Sequence, residues 1–372
     1  MKPVIHRTWI EINKNNLYHN ISEFKSLLKR GTMFGAVIKS NAYGHGLYTV
    51  AKLVEKKVDW LLVDTFIEGL HLREAGIKNP ILVLGYTLPT HFEAAAINSI
   101  DLTVSQFENL KYASHLKNPP KIHLKFDTGM HRQGFYEDQI SSMRTFLQNA
   151  SFVGGVYTHF ASAKDFNYPH YSEKQFKVFE CIIKEFNKEK FSGIIHHAAA
   201  SGGAIVFPKS HLDMVRVGMG MYGYYPSAEI KDQMHTLASK KITLKPILSW
   251  KAIVSEIKNI KAGEPIGYDL TEHVSKKTKI AILPIGYWHG FDRGLSSVGE
   301  VLIRGERSRV LGRVSMDMIT VGIKNAHVLD RATLLGVDGK ESIFADEVAR
   351  KIGTSPYELL TRINPLIERV VV

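Results

Sequence analysis

Short apolar runs alternate with longer amphipathic stretches through the first two thirds of the chain. The runs are Met33–Ser40, Asp59–Thr65, Ile81–Gly85, Asp101–Ser105, Lys121–Asp127, Phe152–Phe160, Ile194–Ser201 and Met214–Gly218. Successive runs are typically about 18–30 residues apart, room for one strand, one helix and two short loops, and that alternation implies parallel pairing through helical crossovers. Eight such units predict an α/β fold, a closed (β/α)8 TIM-type barrel whose parallel strands leave no exposed edge, with an open doubly wound sheet as the alternative. Between the runs, Leu47, Val50, Ala51 and Val54 recur at helical spacing, as do Phe176, Phe179, Ile183 and Phe186, which places Cys181 on a helix.

After Tyr225 the texture changes. Pro226 and Pro246 bracket a polar, helix-like piece, followed by β-rich runs at Ile247–Ile260, Lys279–Pro284, Gly299–Ile303, Ser308–Val314 and Met318–Ile323. Short strands separated by turns at Lys261–Gly263 and Gly286–Gly290 predict a mainly antiparallel β domain. The expected division is a barrel over 1–235 and a β domain over 236–372, with the first ten or so residues able to pack on the latter. A last helix, Ser342–Ile352, is expected to open at Ser342 and stop before Gly353.

Composition narrows the class. With 44% apolar and 23% charged residues the chain has the balance of a globular protein, and its longest apolar stretches fall far short of a membrane span. The amino-terminal MKPVIHRTWIEI lacks the apolar core of a secretory signal. One cysteine can form neither an internal disulfide nor a thiolate metal cage, which fits a cytoplasmic protein. The net charge of +12 is spread along the chain, so a solvated basic surface is expected rather than a nucleic-acid site.

In a barrel, side chains at the carboxyl ends of the strands build the active site. Lys39 shares a face with Gly35 and Val37 at the end of an apolar run; it is either a solvated rim residue or a Schiff-base nucleophile. His123, Lys125 and Asp127 share one face of their run, while Arg216 and His159 are further inward candidates. Such a group is either a structural ion network or a site for a polar ligand. No spacing fits a metal site; His196 and His197 face opposite sides of a strand. Ser201-Gly202-Gly203 and Gly218-Met219-Gly220 follow the last two barrel strands, where backbone N–H groups commonly bind phosphate. With a strand-end lysine, they suggest a phosphorylated aldehyde cofactor.

Lys39-Ser40-Asn41-Ala42-Tyr43-Gly44-His45-Gly46 closely resembles the pyridoxal-phosphate signature of alanine racemases. The resemblance continues in order through Asp127-Thr128-Gly129-Met130-His131-Arg132, Thr158-His159-Phe160-Ala161, Val215-Arg216-Val217-Gly218, Gly267-Tyr268, Pro284-Ile285-Gly286-Tyr287 and Gly312-Arg313-Val314-Ser315-Met316-Asp317-Met318. It implies pyridoxal 5′-phosphate as cofactor, a homodimer with shared active sites, and interconversion of L- and D-alanine for peptidoglycan precursors. It further implies that Lys39 forms the internal aldimine and that Tyr268, from the partner subunit, is the opposing base. Tyr43, Ser201, Gly218 and Met219 would hold the phosphate, with His159 and Arg216 along the pyridine ring. Arg132 and Met316 would contact substrate, Asp317 would support the site, and Lys125 occupies a position that many relatives carry as a carbamate. The sequence departs from the pattern at Ala200, at Trp288-His289 and at Pro365, where several relatives place a tyrosine. The alternatives are a racemase for serine or another small amino acid, and a non-catalytic cofactor-binding protein.

Overall fold

The computed structural model describes residues 6–147, 151–163, 169–188, 193–237 and 241–372; the first five residues of the amino-terminal segment lie outside it. The strands in chain order begin with β1 (Thr8–Ile12), β2 (Met33–Val37), β3 (Trp60–Val63), β4 (Ile81–Val83), β5 (Ile100–Val104), β6 (Ile122–Lys125), β7 (Val153–Tyr157), β8 (Ile195–His197) and β9 (Met214–Val217). The chain divides into two compact units. One comprises Asn15–Ala42 and Val50–Lys245; the other comprises the chain up to Lys14, Tyr43–Thr49 and Pro246–Val372.

In the first unit β2 to β9 form one sheet of eight strands. Neighbouring strands pair in parallel, with Gly35 opposite Trp60 on one side of β2 and Arg216 on the other. The ring closes between β8 and β9 through the parallel Ala200–Arg216 bridge and a 2.9 Å bond from Arg216 N to Ala199 O. The eight apolar runs are therefore the eight barrel strands. Most of their residues are buried, as expected for strands covered on both faces. Among the intervening helices are Phe66–Glu74, Phe107–His115 and Pro169–Lys188, the last carrying Cys181 on its exposed side. Ala228–Leu237 is the helical piece after Pro226.

The second unit contains β1 and β10 (Leu248–Ile253), β11 (Glu256–Ile260), β12 (Pro265–Ile266), β13 (Glu272–His273), β14 (Thr278–Leu283), β15 (Glu300–Ile303), β16 (Glu306–Arg309), β17 (Ile319–Gly322), β18 (Arg331–Asp338), β19 (Glu341–Ile343) and β20 (Glu368–Val371). The largest sheet runs β16-β15-β18-β10-β1-β20, with β19 beside β18, and the smaller ones are β11-β14-β17 and β12-β13. Pairing is antiparallel except between β1 and β20. Ile266, Val274, Ile280 and Leu311 form an apolar cluster in this unit.

One helix boundary differs from expectation. Ser342 lies in β19, and the helix starts at Ala345 after an extended Phe344 without a side-chain cap. The hydroxyl of Ser342 is not used to start it; the Ser342 carbonyl instead accepts from Arg307 Nη2 at 2.7 Å. A further helix, Pro356–Thr361, is opened by Ser355, whose side chain accepts from Glu358 N. Among the described residues no helix is long and apolar enough to cross a membrane.

Candidate active site

The carboxyl end of β2 sets the position of Lys39. Ile38 N still donates to Leu62 O of β3 at 2.8 Å, and the chain then turns sharply. Ser40, Asn41, Ala42 and Tyr43 all have φ between 52° and 55°, a left-handed turn built without glycine. Each such residue costs roughly 1–2 kcal/mol, so the turn persists only where its surroundings impose it. Lys39 Nζ lies 2.8 Å from Asp64 Oδ1, an ion pair between a residue two positions past β2 and the residue that follows β3. Glu68, on the first turn of the helix Phe66–Glu74, accepts from Ser40 N at 2.7 Å and Asn41 N at 3.4 Å through one oxygen. Its other oxygen accepts from Asp64 N at 2.8 Å and Thr65 N at 3.3 Å.

Beyond the turn, Gly44 has φ +83°, and an added Cβ there would lie 1.9 Å from Leu360 O. Glycine is thus required both by conformation and by close backbone approach. The Tyr43 ring meets Tyr357 edge-on, with centroids 6.1 Å apart. Burial pushes the Tyr357 phenol up.

The barrel interior carries a polar column that crosses between strands. Arg216, 3% exposed, donates through Nη1 to His197 Nδ1 at 2.8 Å, and through Nη2 to Thr158 O at 2.8 Å and Ala198 O at 2.9 Å. Its Nη2 also lies 3.3 Å from His159 Nδ1. Burial lowers Arg216 to about 10, which leaves it charged at neutral pH. His197 Nε2 is 2.9 Å from His123 Nδ1, and His123 Nε2 is 3.3 Å from Asp101 Oδ2. The His197 ring stacks on Tyr157 at 4.6 Å, and the Tyr157 hydroxyl bonds Thr103 at 2.8 Å. Burial raises Tyr157 to about 12.

Lys125 ends β6 with its amine donating to Gln133 Oε1 at 2.8 Å. Burial, followed by repulsion from Arg132 and Arg216, lowers it to about 8 against the pull of Asp127. Burial and the charges of Arg216, Arg132, Lys125 and Lys39 likewise lower His159 to about 3, making it a neutral imidazole. These mutual influences bring Lys39, Lys125, Arg132, His159 and Arg216 together, four cations with Asp64 and Asp127 as nearby anions.

Asp127 does not line the barrel with His123 and Lys125. The strand ends at Lys125, and the Asp127 carboxylate turns back on its own loop. Its Oδ1 accepts from Gly129, Met130 and His131 N at 2.9 Å each, and its Oδ2 from Arg132 N at 2.8 Å. Burial alone would raise Asp127; these four N–H groups hold it below the usual carboxylate range. Its local task is to shape the loop that presents Arg132.

After β8 and β9, Ser201 Oγ accepts from Gly218 N at 3.0 Å and Gly220 N at 3.4 Å. Met219 is buried, and its N–H has no acceptor among the described residues. A buried donor left free beside a hydroxyl and two glycines fits an anion. Ala200 bridges to Arg216 and precedes the helix Ser201–Val206 without offering a side-chain cap.

In the second unit, Tyr268, Met316 and Trp288 are 69%, 55% and 58% exposed, and Leu270 is exposed beside them in sequence. Asp269 pairs with Arg313 at 2.7 Å, linking the Tyr268 turn to the segment before Met316. Tyr287 N and Trp288 N donate to Ser315 O and Met316 O at 3.0 Å each. His289 is buried and structural, its Nδ1 accepting from Gly286 N at 3.1 Å; Asp317 follows Met316 in the same loop.

Several residues of the first unit's site were not singled out by sequence: Asp64, Glu68, Gln133, Tyr157 and Thr103. Tyr157 could have been found by parity, since it shares a face of its run with His159. Asp64 and Glu68 could not, because a carboxylate at the start of a helix reads as an ordinary cap.

Fold and site together define a barrel protein with a strand-end lysine among buried cations and an antiparallel β unit after the barrel. Residues 12–226 match the family model "Alanine racemase, N-terminal domain", and residues 247–371 match "Alanine racemase, C-terminal domain". The chain belongs to the alanine racemase family. It is 36% identical over 372 residues to an alanine racemase of Leptospira interrogans, covering 98% of this chain and 96% of that one. A Carboxydothermus hydrogenoformans alanine racemase is 38% identical, with 100% of both chains covered. Among solved structures, an alanine racemase from Bacillus anthracis with bound L-Ala-P has a TM-score of 0.92 at 34% identity, covering 100% of this chain and 96% of that chain.

Proposed function

We propose that this chain is an alanine racemase that uses pyridoxal 5′-phosphate and two bases, Lys39 and Tyr268. The observation that carries the reading is the convergence of Lys39, Lys125, Arg132, His159 and Arg216, carried by four different strands and the segments after them, at one barrel site. The donor set fits the cofactor. A primary amine suits its aldehyde, the free Met219 N–H with Ser201 and Gly218 suits its phosphate, and Arg216 suits an acceptor nitrogen. Tyr43 is assigned to the same phosphate.

When bound, pyridoxal phosphate supplies an electron sink that acidifies the α-proton of alanine. Inversion then requires a proton to leave one face and return to the other. Lys39 Nζ serves the face from which D-alanine loses its proton, and the phenol oxygen of Tyr268 serves the opposite face. Arg216 can donate a hydrogen bond to the ring nitrogen but, with a pKa of about 10, retains its own proton. His159, neutral, would lie along the ring without adding charge. Arg132 and Met316 contact substrate, and Asp317 supports the site.

Lys125 is assigned to carbamate formation. An amine near 8 is partly unprotonated at physiological pH, as attack on carbon dioxide requires, and the product anion would face Arg132.

Tyr268 belongs to the second unit and is largely exposed in a single chain, together with Met316 and Trp288. This supports a homodimer in which Tyr268 of the partner subunit completes each barrel site. The assigned setting is the cytoplasm, supplying D-alanine for peptidoglycan precursors. The test is racemase assay of Lys39→Ala and Tyr268→Ala proteins, separately and after subunit exchange. Each alone is expected to be inactive, and the mixture active at one site per heterodimer. No recovery despite demonstrated exchange would reject the shared site.

A further inference from the structure

Glu68 makes two sets of contacts that serve different ends. As the third residue of a helix capped by Thr65, it closes a capping box, a common device for starting a helix. That duty needs only the bond from Thr65 N, which is long at 3.3 Å. The shortest bonds go elsewhere: Ser40 N at 2.7 Å, in the left-handed turn after Lys39, and Asp64 N at 2.8 Å, in the turn that carries the partner of Lys39. One carboxylate, two oxygens, thus ties together two loops that are distant in sequence. Both loops determine where the Lys39 amine sits, one through its backbone and the other through the 2.8 Å Asp64 contact.

We propose that Glu68 is a positioning residue for Lys39, locking the left-handed turn against the Asp64 turn so that the amine is presented for capture of the cofactor aldehyde. The proposal rests on the reading of Lys39 given above. In that capture the amine nitrogen bonds to the aldehyde carbon, and the aldehyde oxygen leaves as water with both nitrogen-bound hydrogens of the neutral amine. The turn has four consecutive non-glycine residues at positive φ. Without an acceptor for Ser40 N and Asn41 N, nothing in the Glu68 contacts would resist its relaxation to an ordinary conformation. Glutamine in place of Glu68 presents one acceptor and one amide, so one of the two loops would meet a donor. Aspartate keeps the charge and can cap the helix, but is one methylene too short to span both loops.

The test uses the full chain stripped of cofactor, as wild type, Glu68→Asp and Glu68→Gln. Pyridoxine 5′-phosphate, which has no aldehyde, reads the phosphate and ring contacts by equilibrium dialysis. Pyridoxal 5′-phosphate reads covalent capture by absorbance, with borohydride reduction and peptide mapping to locate the bond. The expected result is pyridoxine phosphate affinity within about threefold of wild type in both variants. Capture at Lys39 should be slowed on the order of tenfold to a hundredfold, the effect of a small misplacement of a reacting group. Unchanged capture would overturn the proposal, as would equal loss of capture and of pyridoxine phosphate binding. Two variants both unfolded by circular dichroism would make Glu68 a general structural residue and also overturn it. Wild type that captures nothing at Lys39 would reject the functional reading itself, and the proposal with it; this arm separates the two failures.

Discussion

Arg216 and His197 meet at 2.8 Å, guanidinium Nη1 to imidazole Nδ1, and that bond sets the direction of the barrel's buried column. A guanidinium can only donate, so Nδ1 accepts and the proton of His197 sits on Nε2. Nε2 then donates to His123 Nδ1, which leaves the second histidine's proton on its own Nε2, facing Asp101. Burial, then the charge of Arg216, hold His197 well below its ordinary value, so it stays neutral. The fit is tight on the far side as well, since a Cβ on Gly155 would lie 2.2 Å from His123 Nδ1.

Replacing His197 with phenylalanine should therefore leave one Arg216 N–H without its acceptor and His123 without its donor, both buried. The expected loss is about 2–4 kcal/mol of stability. His197→Gln, which can offer an acceptor to Arg216, should recover part of it. Denaturant titration of the three proteins at one pH measures both effects.

Lys125 makes the stability of the uncarbamoylated chain depend on pH. Its amine is held at about 8 in the fold against 10.5 in the unfolded chain, so between those values the unfolded state binds more protons. Stability should rise with pH through that window and carry a penalty of roughly 3 kcal/mol below it. Lys125→Met should flatten the slope. Urea titrations between pH 7 and pH 10 in buffer freed of carbon dioxide, for both proteins, give the comparison.

At Gly44, alanine would place Cβ 1.9 Å from Leu360 O at a φ of +83°. The expected cost is about 3 kcal/mol or more, because backbone must move at both ends of the contact. Gly31 supplies the control: its φ is +92° but nothing lies within 4 Å, so alanine there should cost only about 1–2 kcal/mol. Thermal unfolding of the two variants separates steric from conformational strain.

What could be read from the chain follows from what is local. The barrel strands were legible because both their faces are buried, so each is a continuous apolar run set off by helices. Lys39, His159 and Arg216 were legible as charged or polar residues in or next to such runs. In the β unit, β18 and β20 went unread, as did the pairing of β1. Arg331–Asp338 holds charge at both ends, and β1 finds its partners β10 and β20 far away in sequence. Ser342 misled because a serine before an apolar run looks like a cap when the preceding strand pairing is unseen. Asp127 misled by parity, which stops applying where a strand ends. Glu68 and Asp64 were hidden for a different reason: their importance lies in which loop each carboxylate reaches, and no spacing records that.

The central claim, one base for each face, is tested most directly by α-proton exchange in heavy water with Tyr268→Phe. Phenylalanine keeps the ring and removes the titrating hydroxyl, so cofactor occupancy should be unchanged and should be measured alongside. Deuterium incorporation into L-alanine should slow strongly, on the order of a hundredfold or more, the scale of losing a positioned general base. D-alanine should still exchange its α-proton through Lys39, with retention of configuration, while racemisation is lost in both directions. Equal slowing of exchange for the two enantiomers, with the cofactor still bound, would contradict the account and leave Tyr268 as a residue that orders the site.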